Sequence, residues 1–324
     1  MLTPLKSHAP PERISPILRG FMIYYLTPSA HRTIWGGQHL ESLKNLPVSR
    51  GADPYGETWE ISVHPQGPSF CQGKKLEVSS HAELPYLVKI LDTSKNLSVQ
   101  VHPDDEYARV HENSSGKAEC YVIIACERNA ILYLGMKPGV TRESFLKGLE
   151  NKKNMSEYMN AFEVKPGDFF FTPPGSIHAI GAGITMAEVQ QSSGITYRVW
   201  DWDRLDSEGK PRQLHVEKSL DVINFDPSAN TKEFFKFTEN IFNHNGAKVL
   251  AEHPDFKLTL VNLKKGQKIS LPLSQSKRLP SILNLQGKLS VNNHLVEAYN
   301  SVLLKGETEL NVVGVDGTSF LFIQ

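Results

Sequence analysis

Cysteine is scarce in this chain, with three among 324 residues: Cys71, Cys120 and Cys126. An odd number without metal-type spacing argues against a disulfide framework and points to free thiols in a reducing, cytoplasmic setting. Surplus charge is also lacking, since 35 Lys and Arg balance 35 Asp and Glu. Nucleic-acid binding needs a basic face, so the expected partner is a small molecule and not a nucleic acid. Nor does any apolar run approach the ~18 residues that span a bilayer, and no membrane partner is expected. The stretch 21–26 (FMIYYL) is short for the core of a secretory signal and has no small-residue cleavage pattern behind it. It reads as a first strand, with residues 1–19 as a loose extension.

What the chain has in quantity is short β-like runs broken by Gly, Pro and Asn, at 87–91, 97–102, 119–125, 130–134, 168–172, 185–191 and 196–202. Strands this short and frequent imply a mostly β sandwich or barrel. Helical period intrudes at 141–162, where Phe145, Leu146 and Leu149 precede Met155, Tyr158, Met159 and Phe162 behind a capping Thr141. That spacing predicts a small helical hairpin inserted between strands. At 215–224, Val216, Leu220 and Ile223 share one helical face and predict a connector. A second β-rich block begins near residue 256 with FKLTLVNL and SILNLQGKLSV. The expected organisation is a first domain over 20–245, with its helical insert around 141–162, and a C-terminal β jelly roll over 246–324. After residue 253 the only histidine is His294, so no metal is expected in the second block.

Three polar clusters stand out against this background. In LSVQVHPD at 97–104, Gln100 and His102 lie two apart, so on a strand they share a face roughly 7 Å apart. Facing a barrel interior they need partners, because each unsatisfied buried polar group costs about 1–3 kcal/mol. Lys117 and Glu119 repeat the spacing on the next β-like stretch. Taken singly, these clusters read as a hydrogen-bonded histidine at a strand end and a surface ion pair. The third, GDFFFTPPGSIH at 167–178, sets a strand, a tight turn and then His178 entering the next strand. Arg198 alternates with Tyr197 and points with Trp200; as a buried arginine it needs an anion, and Glu188 or Asp201 could serve as a structural pair. Lys89, opposite Val88 and Ile90, would on its own snorkel to water. His31, His64, His111 and His215 carry no motif and read as surface or packing residues.

The run from Gly167 to His178 matches the second motif of the cupin superfamily, although Ala182 stands where the general motif has Asn. The first cupin motif is looser, with Gln100 in place of its first His and Glu119 beyond the usual spacing. Those departures resemble the type I phosphomannose isomerases, whose metal motif reads Gln-x-His-Pro-Asp, then Lys-x-Glu, then Pro-x-Gly-x-x-His-Ala. All three occur here as QVHPD, KAE and PPGSIHA, and IWGG, GETWEIS, LPYLVKILD and MAEVQQSSGITYRVWDWDR follow the same family in order over residues 34–204.

The resemblance implies two cupin-type jelly rolls, the first with a small helical insertion. It implies an aldose–ketose isomerase that interconverts mannose 6-phosphate and fructose 6-phosphate through an enediol. One zinc would be held by Gln100, His102, Glu119 and His178, a nitrogen–oxygen set that iron or manganese would also suit. Lys89 and Ser98 are implied at the sugar phosphate, and Arg198 in the active site with Glu188 beside it. Glu188, Lys117 and a metal-bound water stay open as the general base. The alternatives are another cupin sugar-phosphate isomerase, or a non-enzymatic cupin that senses a sugar phosphate. No sequence feature sets the oligomeric state beyond a monomer or weak dimer.

Overall fold

The computed structural model describes residues 21–324 except 49, 207–208, 274–276 and 307–308; the expected extension at 1–19 lies outside them. The chain is mostly β, with 44 % strand and 15 % helix. Three antiparallel sheets carry it. The middle one has six strands, in the order Phe169–Thr172, Glu119–Cys126, Ile184–Gln191, Tyr86–Asp92, Tyr55–Ile61 and Ser29–Arg32. A five-stranded sheet covers one of its faces, in the order Met159–Glu163, Ile131–Met136, His178–Ile180, Val99–Val101 and Tyr197–Trp200.

The side-chain period of two explains how these layers stack. Tyr86, Val88 and Ile90 join Cys120, Val122, Ala187 and Val189 in a core shared with Leu258, Leu260, Leu283 and Leu321 of the C-terminal strands. Residues of opposite parity, Leu91, Tyr121, Ile123 and Met186, face the five-stranded sheet and pack with Leu132, Leu134 and Ile180. The middle sheet is thus buried on both faces, and its strands read as continuous apolar runs for that reason. Between the six- and five-stranded sheets the filling is apolar at one end and polar at the other. The polar end holds the motif residues.

The third sheet has ten strands, and the long Glu309–Ile323 pairs with Phe256–Leu263, Lys268–Pro272 and Ser281–Val291. The apolar stretch near the N-terminus is a strand, Met22–Thr27, as expected, and it joins this sheet by pairing with Ser301–Lys305.

The helical hairpin expected at 141–162 is corrected. Arg142–Glu150 is a helix, with Thr141 and Ser144 forming a capping box, and Met155–Tyr158 is one 3₁₀ turn. Met159–Glu163 is a strand paired with Ile131–Met136. Met159 and Phe162 are three apart, as on a helix face, but here they serve opposite faces: Met159 packs with Phe145 and Met155 outside the five-stranded sheet, and Phe162 packs inward on Phe170. The connector helix forms at Val216–Val222, with Leu220 buried.

Candidate metal centre and active site

Strand pairing assembles the polar end. His178 and Gln100 are register partners on adjacent strands, and Arg198 is the partner of Gln100 on its other side. The turn before His178 is tied down by backbone: Gly175 N–H donates to His102 C=O at 2.8 Å. Gly175 has φ +81, and a Cβ there would lie 2.9 Å from Val222 O, so the position requires glycine.

His102, Glu119 and His178 are all buried, and one ligand atom from each lies within 4.8 Å of the others. His102 Nδ1 lies 2.8 Å from Ile195 O and His178 Nδ1 lies 3.0 Å from Ser176 O. A carbonyl only accepts, so both Nδ1 atoms carry the proton and both Nε2 atoms are left with free lone pairs. Those Nε2 atoms stand 3.4 Å from Glu119 Oε1 and Oε2 respectively. Burial, with the Lys117 charge beside it, holds His102 well below the ordinary imidazole range, and burial also lowers His178. Burial alone would raise Glu119, but the adjacent Lys117 charge outweighs it and keeps the carboxyl ionised. Two neutral imidazoles and a carboxylate are what a divalent cation binds.

Orphaned atoms supply a direct test of fit. His102 Nε2 is buried with no hydrogen-bond partner, and Glu119 Oε1, although 2.9 Å from Lys117 Nζ, is not aligned for a hydrogen bond. Unsatisfied buried acceptors are costly unless something binds them. Tyr121 O–H donates to Glu119 Oε2 and orients it. The Gln100 amide nitrogen reaches His178 Nε2 at 3.1 Å, so Gln100, expected from the sequence as the fourth ligand, touches one of the other three, with its donor nitrogen toward it.

A cavity of about 230 Å³ adjoins the cluster through Gln100 and Lys117, and is also lined by Thr33, Glu57, Lys89, Ser98, Glu188, Arg198 and Arg212. It is smaller than the ~300–1,000 Å³ of drug-sized sites and suits a compact polar ligand. Lys89 and Glu188 are register partners. Lys89 does not snorkel to water: it is buried, with Nζ 3.0 Å from Glu57 Oε2 and 3.5 Å from Glu188 Oε2. Burial lowers its pKa, but Glu57 and Glu188 more than reverse this, so it stays charged. Burial first, then the Glu119 charge, pushes Glu188 up to about 7 against the pull of Lys89 and Lys117. Ser98 Oγ lies 3.4 Å from Gln100 Oε1.

Arg198 donates Nη1–H to Gln213 O at 2.8 Å, and its Nε is buried without a hydrogen-bond partner. The structural pair with Glu188 or Asp201 that the sequence allowed is not formed; Asp201 is taken instead by Arg204 and Arg212, at 2.6 and 2.5 Å. Sequence reasoning gave no role to Glu57 or Arg212, and it named Asp201 only as a possible pair for Arg198. Glu57 had a signal, since it sits two residues before Trp59 on one strand and shares its face. Arg212 lies in a loop, where no periodicity indicates direction.

The site can be set beside known proteins. Residues 71–121 match the family model for the phosphomannose isomerase type I catalytic domain. Mannose-6-phosphate isomerase ManA of Bacillus subtilis (strain 168) is 40 % identical over 217 residues, covering 61 % of this chain and 67 % of that protein. A mannose-6-phosphate isomerase of Streptococcus mutans is 34 % identical over 283 residues, covering 82 % of this chain and 86 % of that one. The crystal structure of the Bacillus subtilis mannose 6-phosphate isomerase superposes with a TM-score of 0.75 at 26 % identity, over 93 % of this chain and 98 % of that one. Fold, metal-type cluster and sequence agree: this chain belongs to the type I phosphomannose isomerase family.

Proposed function

We propose that this protein interconverts mannose 6-phosphate and fructose 6-phosphate by moving a proton between C1 and C2 through an enediol. The observation that carries the proposal is the buried His102–Glu119–His178 cluster with orphaned acceptor atoms, adjoining through Gln100 and Lys117 a small polar cavity that Glu188 and Arg198 also line. Zinc is the ion inferred, held by Gln100, His102, Glu119 and His178; when bound it acts as a Lewis acid that polarises the sugar's carbonyl and hydroxyl oxygens.

The remaining work falls to side chains. Glu188, pushed up to about 7, holds and releases a proton near neutral pH, as an efficient general base should. Lys117 stands 2.9 Å from the ligand carboxylate, which suits a positioning cation better than a base. Arg198 offers fixed donors to the oxyanion that develops along the path. Ser98 lines the cavity beside Gln100, which supports a role at the distal part of the sugar phosphate. Lys89 is the second group the family resemblance assigns to the phosphate, and there it would share its ammonium with Glu57 and Glu188.

A coupled assay with mannose 6-phosphate, reading fructose 6-phosphate before and after chelation, tests the proposal. Turnover should vanish with the metal and return with zinc. A metal-loaded protein that binds sugar phosphate and never turns it over is a sensor and not an isomerase.

A further inference from the structure

A sugar phosphate brings a dianion into the cavity, and the positive charge there is unevenly committed. On one wall each ammonium has carboxylate neighbours: Lys89 lies 3.0 and 3.5 Å from Glu57 and Glu188, and Lys117 lies 2.9 Å from Glu119. On the other wall three guanidiniums, Arg198, Arg204 and Arg212, surround the single carboxylate of Asp201. The surplus positive charge therefore lies on the guanidinium wall. Of the three, Arg198 and Arg212 line the cavity.

Arg212 has the geometry to use that surplus. Its Nε and Nη2 donate to Asp201 Oδ2 and Oδ1 at 2.7 and 2.5 Å. This side-on grip fixes the plane of the fork and leaves Nη1 without a hydrogen-bond partner among the described residues. Arg204 Nη2 donates to the same Oδ1 at 2.6 Å and Nη1 to Asn96 O, anchoring Asp201 to the loop ahead of Ser98. Asp201 is itself nearly buried, with 6 % of its side chain exposed, so the carboxylate is a fixed strut and does not compete for water.

We propose that Arg212 grips the phosphate of the substrate, with Ser98 beside it, and that Asp201 is the positioning residue that aims Arg212. This rests on the sugar-phosphate reading above. Remote binding of this kind holds the open-chain sugar so that its reacting carbons meet the metal floor and Glu188.

The test uses the zinc-loaded full chain and the variants Arg212→Gln, which keeps a donor for Asp201, and Arg212→Lys, which keeps the charge. Inorganic phosphate is titrated calorimetrically, a readout independent of turnover, and kcat, KM, zinc content and melting temperature are measured alongside. Arg212→Gln should weaken phosphate binding and raise KM for mannose 6-phosphate by roughly tenfold or more, with kcat falling less. Arg212→Lys should be intermediate, and melting temperature and zinc content should hold. Phosphate binding and KM within twofold of wild type overturn the proposal. So does a parallel loss of zinc, melting temperature and affinity, which assigns Arg212 to the fold, and so does Lys89→Ala abolishing phosphate binding that Arg212→Gln spares. If wild type binds phosphate through Arg212 but never isomerises the sugar, the isomerase reading fails and the phosphate site stands.

Discussion

Arg198 is placed by backbone pairing: its strand runs beside Gln100, so its guanidinium rises next to the expected metal ligands. Because it makes no ion pair among the described residues, its charge is available to the reaction. Arg198→Ala should lower kcat by ~10²–10³, about 3–4 kcal/mol. Arg198→Lys should be nearly as damaging, since a point charge cannot reproduce the planar fork. Melting temperature should hold in both, whereas breaking a buried pair would cost about 3–5 kcal/mol. A raised KM with kcat intact would move Arg198 from the oxyanion to the phosphate. Glu188 leads to a pH prediction. Its carboxyl titrates at about 7 because of burial and then Glu119, with Glu57 adding to the shift. A base acts only when ionised, so kcat/KM should fall as pH drops below about 7. Glu57→Gln removes one raising charge and leaves Lys89 to Glu188, so this acid limb should move to lower pH. A limb that stays in place belongs to another group. At this scale much was legible. It came from the family motifs and not from strand period: singly the clusters read as a strand-end histidine and a surface ion pair, and the resemblance is what set Gln100, His102, Glu119 and His178 side by side, three of which the fold gathers within 4.8 Å. Arg212 was not legible, since it lies in a loop whose direction only tertiary contacts decide, and Asp201 was read only as a possible pair for Arg198.

Among elements, the turn at Gly175 links sequence to chemistry most tightly. Its φ of +81 and the 2.9 Å approach to Val222 O leave no room for a side chain. Gly175→Ala should cost about 1–2 kcal/mol from the left-handed backbone alone, with more from the clash. Since Gly175 also bonds His102 C=O, zinc affinity should fall with stability. Zinc affinity and thermal unfolding check this, and a wild-type affinity would detach the turn from the metal site. Thr141→Ala, which removes one half of the capping box, should cost about 1 kcal/mol and leave zinc binding untouched. The strand Met159–Glu163 resisted reading for a physical reason. Its register shifts between Met159 and Ala161 and only Met159 and Phe162 are buried, so no period of two shows, and their spacing imitates a helix turn.

Across the whole molecule, the C-terminal sheet and the middle sheet share one apolar core, reinforced by a polar tie. Lys44 Nζ contacts Glu60 Oε2 at 2.7 Å and donates to Tyr299 O, while Ser301 Oγ donates to Glu60 O at 3.0 Å. Thermal unfolding should therefore be a single transition. Lys44→Met should destabilise by about 3–5 kcal/mol, because it strands a buried carboxylate. Burial raises Glu60 above its ordinary value despite Lys44. A raised carboxyl favours the fold below the unfolded pKa of about 4.3 and loses that contribution as pH rises through the folded value. Lys44→Met should therefore be least harmful at low pH. A penalty independent of pH would mean that Glu60 is not the group left uncompensated.

The pairing of Met22–Thr27 with Ser301–Lys305 has a consequence for how the protein is made. On the ribosome, Leu26 cannot meet Ser301 until the whole stretch between them has been synthesised. At roughly 5–20 residues per second that wait is on the order of tens of seconds. Over that interval the apolar face of the middle sheet, with Tyr86, Val88 and Ile90, has no C-terminal strands to cover it. The nascent metal-binding half is then open to aggregation, and a ribosome stalled before residue 301 would hold a chain whose first strand is paired only at Leu26 and Thr27, with Cys71 and Phe70.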